Sequence, residues 1–424
     1  MGNMAGYRFR GQSLVPDDDR TTALNHPVYS HRDTCAIVGI GATEFSSHSG
    51  RSVASLAAEA SLAAIRDAGL SCADIDGVVR SDYDSTHHQD IGYWLGLSNL
   101  TFWGITGMAG SAPCGMIGQA VAAIMSGQAT NVLVYRALNG RSGLRYGRGT
   151  DIQLSGESRY KGGYGTYDEY FFPYGLMAPG QLYAMIARRH MIEYGTSADA
   201  LCDIATTIRR RANGNPAAQM AGRTLSAEEY YAARMIADPL RLYDYCLESD
   251  GACAVVVTSA GRAADGPHPV VLIRAVTQAT TPEVQPGKVY PTLMRPSITT
   301  QPSKQAAEEL YRRAGLGPKD VDVAQLFDAF TIMVLIQLED YGFCPKGEGG
   351  VFASSGAIDV GGALPINTAG GNLSEGYLHG MNHIAEGVRQ MRGQSTSQVR
   401  GAEVGLVTSG IPTMTSALML RAGS

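Results

Sequence analysis

No apolar run in this sequence approaches the roughly 20 residues that a membrane-spanning helix needs, so no membrane span is expected. There is no basic stripe either. The 34 lysines and arginines stand against 39 aspartates and glutamates, a net charge of −5, which argues against nucleic acid as a partner. The seven cysteines, Cys35, Cys72, Cys114, Cys202, Cys246, Cys253 and Cys344, form no Cys-x-x-Cys pair and no cysteine–histidine spacing of a metal site. Neither a metal nor a resident cofactor is therefore expected. The first 33 residues are polar and charged, without the apolar stretch of a secretory signal. Residues 1–34 read as a flexible arm, with a cloning remnant as the alternative. Without a secretory signal the cysteines are expected to be free thiols in a reducing cytoplasm.

What is present is an ordinary globular mixture, 44% hydrophobic and 17% charged, over 424 residues. That length accommodates two core-bearing domains. The 52 glycines cluster where strands meet turns, as a mixed α/β chain requires.

The most informative feature is an internal repeat. A strand pattern from Cys35 to Ala42 is followed by a helix pattern from Ser52 to Asp67, a glycine stop at Ala68-Gly69-Leu70, and Asp74-Ile75-Asp76 leading into a second strand. Far downstream the order recurs. It runs through strand Val270–Val276, helix Lys304–Arg313, stop Ala314-Gly315-Leu316, and Asp320-Val321-Asp322 before another strand. Gly69 and Gly315 are 246 positions apart (315 − 69), and so are Asp74 and Asp320 (320 − 74). The second parts of the two segments also match. A helix Gly115–Met125 leads through Ser126-Gly127-Gln128 into strand Asn131–Tyr135. A helix Leu378–Met391 leads through Arg392-Gly393-Gln394 into strand Val404–Thr408. Duplication of an α/β unit is the economical explanation. The first half is expected over residues 35–265 and the second over 266–424. Within the first half, residues 139–240 form an insertion, rich in Tyr, Arg and Gly, that is too long for a simple connection. It should be a loop domain with helices near Gln181–Tyr194 and Ser197–Ala212, covering the site. Its aromatic run Tyr164–Tyr174 reads as lid or interface.

Local motifs agree. Ile37-Val38-Gly39-Ile40-Gly41-Ala42, Ser249-Asp250-Gly251-Ala252 and Asn367-Thr368-Ala369-Gly370-Gly371-Asn372 resemble thiolase motifs. Tyr135-Arg136-Ala137-Leu138-Asn139-Gly140-Arg141-Ser142-Gly143, Leu338-Glu339-Asp340-Tyr341-Gly342-Phe343-Cys344 and Ser374-Glu375-Gly376-Tyr377-Leu378-His379-Gly380-Met381-Asn382 are similar to one branch. That branch is the sterol-carrier and lipid-transfer-protein thiolases of bacteria, which includes the steroid side-chain aldolases. The resemblance implies the thiolase fold, two α/β halves in α-β-α-β-α layers. It also implies acyl-CoA thioesters as substrates, a homodimer, and a separate small OB-fold partner protein.

The same resemblance assigns site positions. Cys114, after Pro113 at a helix start, matches the nucleophilic cysteine, where helix-end N–H groups favour thiolate. Tyr377 stands where thiolases carry an active-site histidine, and His379 follows two residues later. If the segment is helical, His379 lies about 200° round the helix from Tyr377 and cannot take its place. A tyrosine hydroxyl can still donate to a thioester enolate. Phe327-Asp328-Ala329-Phe330 occupies a second thiolase loop. Phe327 has no donor to offer where the related aldolases usually carry tyrosine, and Asp328 is a candidate acid/base or a structural carboxylate. Ser409, in Thr408-Ser409-Gly410, replaces the second thiolase cysteine, and serine is too weak an acid to deputise for it. Gly370, Gly371, Ser409, Gly410, Phe327 and Tyr245 are the expected substrate-lining positions. Tyr245 lies where the insertion rejoins the core.

Three functions are open at this stage. A retro-aldol lyase would cleave a β-hydroxyacyl-CoA between its α and β carbons with Tyr377, His379 and Asp328 moving protons. An acyltransferase or degradative thiolase would load an acyl group on Cys114. A catalytically silent subunit would bind CoA esters or scaffold a partner. The lost thiolase residues favour the first.

Overall fold

The structure is a computed structural model that describes residues 28–107, 109–143, 145, 171–176, 178–280 and 290–423. Most of the expected arm and of the aromatic run Tyr164–Tyr174 lies outside the described residues.

The first half opens with β1 (Cys35–Ala42), α1 (Val53–Asp67), β2 (Gly77–Ser81), α2 (His88–Leu95), β3 (Phe102–Thr106), α3 (Ala112–Met125) and β4 (Val132–Asn139). The insertion contributes α4 (Pro179–Tyr194), α5 (Ala198–Asn213), α6 (Ala227–Ala232) and the small hairpin β5 (Met235–Ala237) and β6 (Leu240–Arg241). The chain then returns through β7 (Asp250–Ser259) and α7 (Ala260–Ala263). The second half runs β8 (Val271–Thr280), α8 (Ser303–Ala314), β9 (Val323–Gln325), α9 (Thr331–Asp340), α10 (Gly349–Ser354), α11 (Met381–Arg392), β10 (Val404–Ile411) and β11 (Met414–Ala422).

The duplication is visible in the sheet. Nine strands lie in the order β3-β2-β4-β7-β1-β8-β11-β10-β9. The run β2-β4-β7-β1 from one side therefore corresponds to β9-β10-β11-β8 from the other. Within each half the inner strands pair alike: β2 with β4 and β9 with β10 are parallel, while β7 and β11 run antiparallel to their neighbours. In the sheet the halves pair through β1 and β8, where Ala36 faces Leu272 and Ile37 faces Val271. Helix α1 packs on β1, β4 and β7, and α8 on β8 and β11. Helices α3 and α11 pack against strands of both halves. Helices thus pack on the paired strands of both halves, in keeping with the layered α/β order that the resemblance implied.

Both glycine stops behave alike. Gly69 and Gly315 have φ of 70° and 67°, a left-handed conformation that costs a side-chain-bearing residue energy. The central layer explains why both partners of the duplication are so apolar: α3 buries Cys114, Met116, Ile117, Ala120 and Val121 in the same core as Met381, Ile384 and Val388 of α11.

One boundary differs in a way that matters. The expected helix from Leu378 begins at Met381. His379 and Gly380 have φ of 57° and 92°, so the chain between Tyr377 and Met381 turns through the left-handed region and no helix passes through it.

Candidate active site

Helix α3 supplies the first wall. Pro113 occupies its first turn, where the missing N–H costs nothing, and Cys114 follows immediately. The Cys114 side chain is fully buried. Its sulfur lies 3.3 Å from Ser409 Oγ and 3.5 Å from the Val407 carbonyl. Burial pushes this thiol up to about 12, outweighing the hydrogen bonds from Ser409 and Ser416 that act the other way. Cys114 is therefore a neutral thiol. The helix start does not overcome the loss of solvent.

The loop after β9 supplies the second wall. The Phe327 N–H donates to Thr408 Oγ1 at 2.8 Å, and its carbonyl accepts from Gln337 Nε2 at 2.7 Å. Its ring is wedged between Gly110, ahead of α3, and Gly380, leaving no space for a Cβ at Gly110. Asp328 is wholly buried and fully engaged. Oδ1 accepts from Asn372 N and His383 Nε2, at 2.8 and 2.9 Å, and Oδ2 accepts from Leu373 N at 3.2 Å. Both oxygens thus hold the wide turn Gly371–Glu375. Gly371 is needed there: its φ is 52°, and a Cβ would collide with Asp328 Oδ2.

That turn delivers the third wall. Tyr377 is tied down by its N–H to Ser249 Oγ at 2.9 Å. The Tyr377 and His379 rings meet edge to face with centroids 5.0 Å apart. The expectation that His379 lies across a helix from Tyr377 is corrected, because the left-handed residues bring the two rings together. His379 is buried, and its Nδ1 accepts from Arg136 Nε and Nη2 at 3.2 and 2.9 Å. Burial, and then the adjacent Arg136 cation, hold this imidazole well below its usual pKa, so it is neutral. Arg136 pairs in turn with Asp84 at 2.5 Å, and neither side chain has exposed surface.

The remaining expected positions divide. Ser409 touches Cys114 through its hydroxyl. Gly410 lines a small cleft of about 20 Å³ between α4, α9 and the β10–β11 turn, together with Tyr183, Met333 and Gln337. Gly370, with φ of 108°, presses its backbone against Ala212 of the insertion and carries the turn. Tyr245 packs its ring on Phe330 and Gly180, and its buried hydroxyl has no hydrogen-bond partner. Cys114 thus meets Ser409, Phe327 meets Thr408 and Gly380, and Tyr377 meets His379, while Asp328, Gly370 and Gly371 shape the turn that carries Tyr377 and Tyr245 and Gly410 face the insertion side.

Sequence reasoning assigned no role to Asp84, Arg136, His383 or Glu375. For Arg136 a signal was present: an arginine inside the apolar strand Val132-Leu133-Val134-Tyr135 has to be paired to be buried. The partner, 52 positions away, has no such mark. Among the described residues no group of three or more His, Cys, Asp or Glu side chains is placed to hold a metal, and no helix is long and apolar enough to cross a membrane.

Comparison with known proteins fits this geometry. Residues 289–420 match the family described as thiolase C-terminal domain-like. A 17-hydroxy-3-oxo-4-pregnene-20-carboxyl-CoA lyase of Mycobacterium tuberculosis is 43% identical over 387 residues, 91% of this chain and 98% of its own length. A steroid side-chain-cleaving aldolase of Thermomonospora curvata is 42% identical over 388 residues, 91% of this chain and 97% of its own. Among solved structures, the Ltp2-ChsH2(DUF35) aldolase superposes with a TM-score of 0.85 at 41% identity, covering 92% of this chain and 98% of that one. Human mitochondrial 3-ketoacyl-CoA thiolase, at 14% identity and a TM-score of 0.65 over 92% of this chain and 99% of its own, shares the fold.

Proposed function

Because this chain belongs to the thiolase superfamily, among the steroid side-chain-cleaving aldolases of its sterol-carrier type, we propose that it is a carbon–carbon lyase that splits a β-hydroxyacyl-CoA into a carbonyl product and a shorter acyl-CoA. The relatives' names point to a steroid side chain as the acyl group. In the reaction a base takes the β-hydroxyl proton, the Cα–Cβ electron pair moves onto the thioester as an enolate, and Cα is then protonated. No acyl-enzyme forms. The supporting observation is the state of Cys114: a thiol held neutral by its burial and bonded to Ser409. Such a site suits hydrogen-bond and proton chemistry better than nucleophilic attack. Tyr377 is the acid/base candidate. Asp328 is left out of that set, because its oxygens are spent on the turn.

A homodimer and a small OB-fold partner belong to the same reading. Strand β3 is an open sheet edge carrying exposed Trp103 and Ile105, with Tyr93 and Trp94 exposed on α2. An apolar open edge of that kind is normally covered. The name of the superposed Ltp2-ChsH2(DUF35) aldolase pairs two proteins, which supports the second partner. A cytoplasmic location accords with seven unpaired cysteines.

The test is turnover of a β-hydroxyacyl-CoA carrying a steroid side chain and of the corresponding β-ketoacyl-CoA with free CoA, by the protein alone and co-expressed with an OB-fold partner. Retro-aldol products are expected from the first substrate only. Cys114→Ala should retain at least about a tenth of the rate, and Tyr377→Phe should lose about 10²–10³-fold, the usual worth of one oxyanion donor or positioned acid. An acyl group on Cys114 by mass spectrometry, with turnover of the β-keto substrate, would overturn the reading in favour of an acyltransferase. Inertness toward both substrates with the partner present would favour a silent subunit.

A further inference from the structure

We propose that Arg136, clamped by Asp84, is a positioning residue that fixes His379 in one neutral tautomer with its proton on Nε2, so that His379 acts as a hydrogen-bond donor and carries no proton in turnover. The argument starts from donor chemistry. A guanidinium has only N–H donors. Two of them, Nε and Nη2, reach His379 Nδ1 at 3.2 and 2.9 Å. Nδ1 must therefore present its lone pair, and the ring proton sits on Nε2.

The clamp is built on the sheet. Arg136 lies on β4, and Asp84 follows β2, the parallel neighbour in which Arg80 faces Tyr135. Asp84 Oδ1 takes Arg136 Nη1 at 2.5 Å and Ala137 N at 3.0 Å, while Oδ2 takes Ser81 N at 2.9 Å. Arg136 Nη1 also donates to the Ala137 carbonyl at 3.1 Å. Every bond made by the pair restricts where its remaining N–H groups can point.

A buried ion pair gives little net stability over apolar residues of the same size, because desolvating two charges offsets their attraction. Here the pair spends two of its N–H groups on a histidine two residues past Tyr377. That histidine is itself held at φ 57°, a conformation rarely used by side chains with a Cβ. Among the described contacts, the groups that face the imidazole are Arg136, with Asp84 behind it, and the rings of Tyr83 and Tyr377, at ring-centroid distances of 6.3 and 5.0 Å. A proton on Nδ1 would face the guanidinium N–H groups head on and set two cations side by side in the interior. Resting on the lyase reading above, the division of labour is then clear. His379 Nε2–H stabilises the negative charge that reaches the thioester oxygen when the Cα–Cβ bond breaks, and Tyr377 exchanges the protons.

The test has one arm that needs no turnover. The chain has nine histidines, so subtracting the spectrum of His379→Gln from that of ¹⁵N-histidine-labelled wild type assigns the His379 signals. The expected result is an unprotonated Nδ1 and a protonated Nε2 that do not change between about pH 5 and pH 9, a range in which an ordinary histidine titrates. A protonated Nδ1, or titration within that range, would overturn the proposal whatever the protein's activity. The second arm is kinetic. His379→Gln keeps an amide N–H near the Nε2 position and should stay within about tenfold of wild-type kcat with an unaltered pH profile, whereas His379→Asn should lose about 10²-fold or more. Equal collapse of both would overturn the donor role. The double variant Asp84→Asn/Arg136→Met removes both charges together, so no unpaired ion is left buried. It should show mixed or titrating His379 signals and a kcat about ten- to a hundredfold lower at similar KM. An unchanged tautomer and kcat in that variant would remove Arg136 from the positioning role.

Discussion

A thiol in the first turn of a helix is ordinarily drawn toward thiolate by the N–H groups around it, and that expectation made Cys114 the first candidate nucleophile. The fold sets a stronger influence against it. The sulfur is sealed between α3 and the β10–β11 layer with Ser409, Ser416 and the Val407 carbonyl as polar neighbours, and burial carries the thiol to about 12. Alkylation checks this directly. Treated with iodoacetamide near pH 8, native protein should leave Cys114 unmodified by peptide mapping while the urea-unfolded chain is labelled there, since exposed thiols ionise near pH 8.5. Rapid labelling of Cys114 in the native protein would mean that a reactive thiolate forms, and the nucleophile assignment would return. The same residue-scale comparison separates Asp328 from Tyr377. The carboxylate is consumed by three donors, two of them backbone, whereas Tyr377 is placed by its main-chain N–H to Ser249 Oγ.

At the scale of elements, the segment from Asn367 to Gly380 does the positioning. Its left-handed residues Asn367, Gly370, Gly371, His379 and Gly380 make a compact turn where a helix would carry the side chains apart. Inside it lies Glu375, which accepts from Asn382 Nδ2 at 2.9 Å. Burial raises the Glu375 carboxyl to about 7; Arg389 pulls it down, and Glu386 adds to the rise. The sign of the stability effect follows. Between the ordinary carboxylate value and about 7 the folded state holds a proton that the unfolded chain has released, so stability is full below the unfolded pKa and falls as pH rises through about 7. The loss is on the order of 3 kcal/mol at most, from roughly 1.4 kcal/mol per unit. Wild-type melting temperature should therefore drop between about pH 5 and pH 7.5, and Glu375→Gln, which stays neutral, should show a flatter profile and melt higher at the upper end. Identical profiles for the two proteins would show that Glu375 is ionised throughout.

For the whole molecule, the nine-stranded sheet ends on one side at β3, whose outer edge is unpaired among the described residues and whose Trp103 and Ile105 side chains reach solvent. Trp103 also stacks on His88, with ring centroids 4.5 Å apart, which joins the strand to the end of α2 in one surface. Two copies meeting at this edge would extend the sheet and cover the apolar side chains. The protein should sediment as a dimer, and Trp103→Lys with Ile105→Lys should sediment as a monomer of unchanged circular dichroism. A monomeric wild type, or a double variant that remains dimeric, would place the interface elsewhere or abolish it.

The sequence by itself determined the duplicated α/β plan. Periodicity and glycine stops are local properties, and a repeat at 246 positions writes them twice, so β1 with β8, α1 with α8 and Gly69 with Gly315 could be paired before any contact was seen. Through its resemblance to thiolase motifs it also singled out Cys114, Phe327, Tyr377 and His379 as candidate site positions. Only the tertiary structure decided what each of them can do. The ionisation of a thiol depends on what excludes water from it, and the tautomer of His379 on an arginine 243 positions away. The angle between Tyr377 and His379 depends on backbone torsions that the helix pattern from Leu378 to Met391 misrepresented. These properties arise from contacts between segments remote in the chain, and no local pattern carries them.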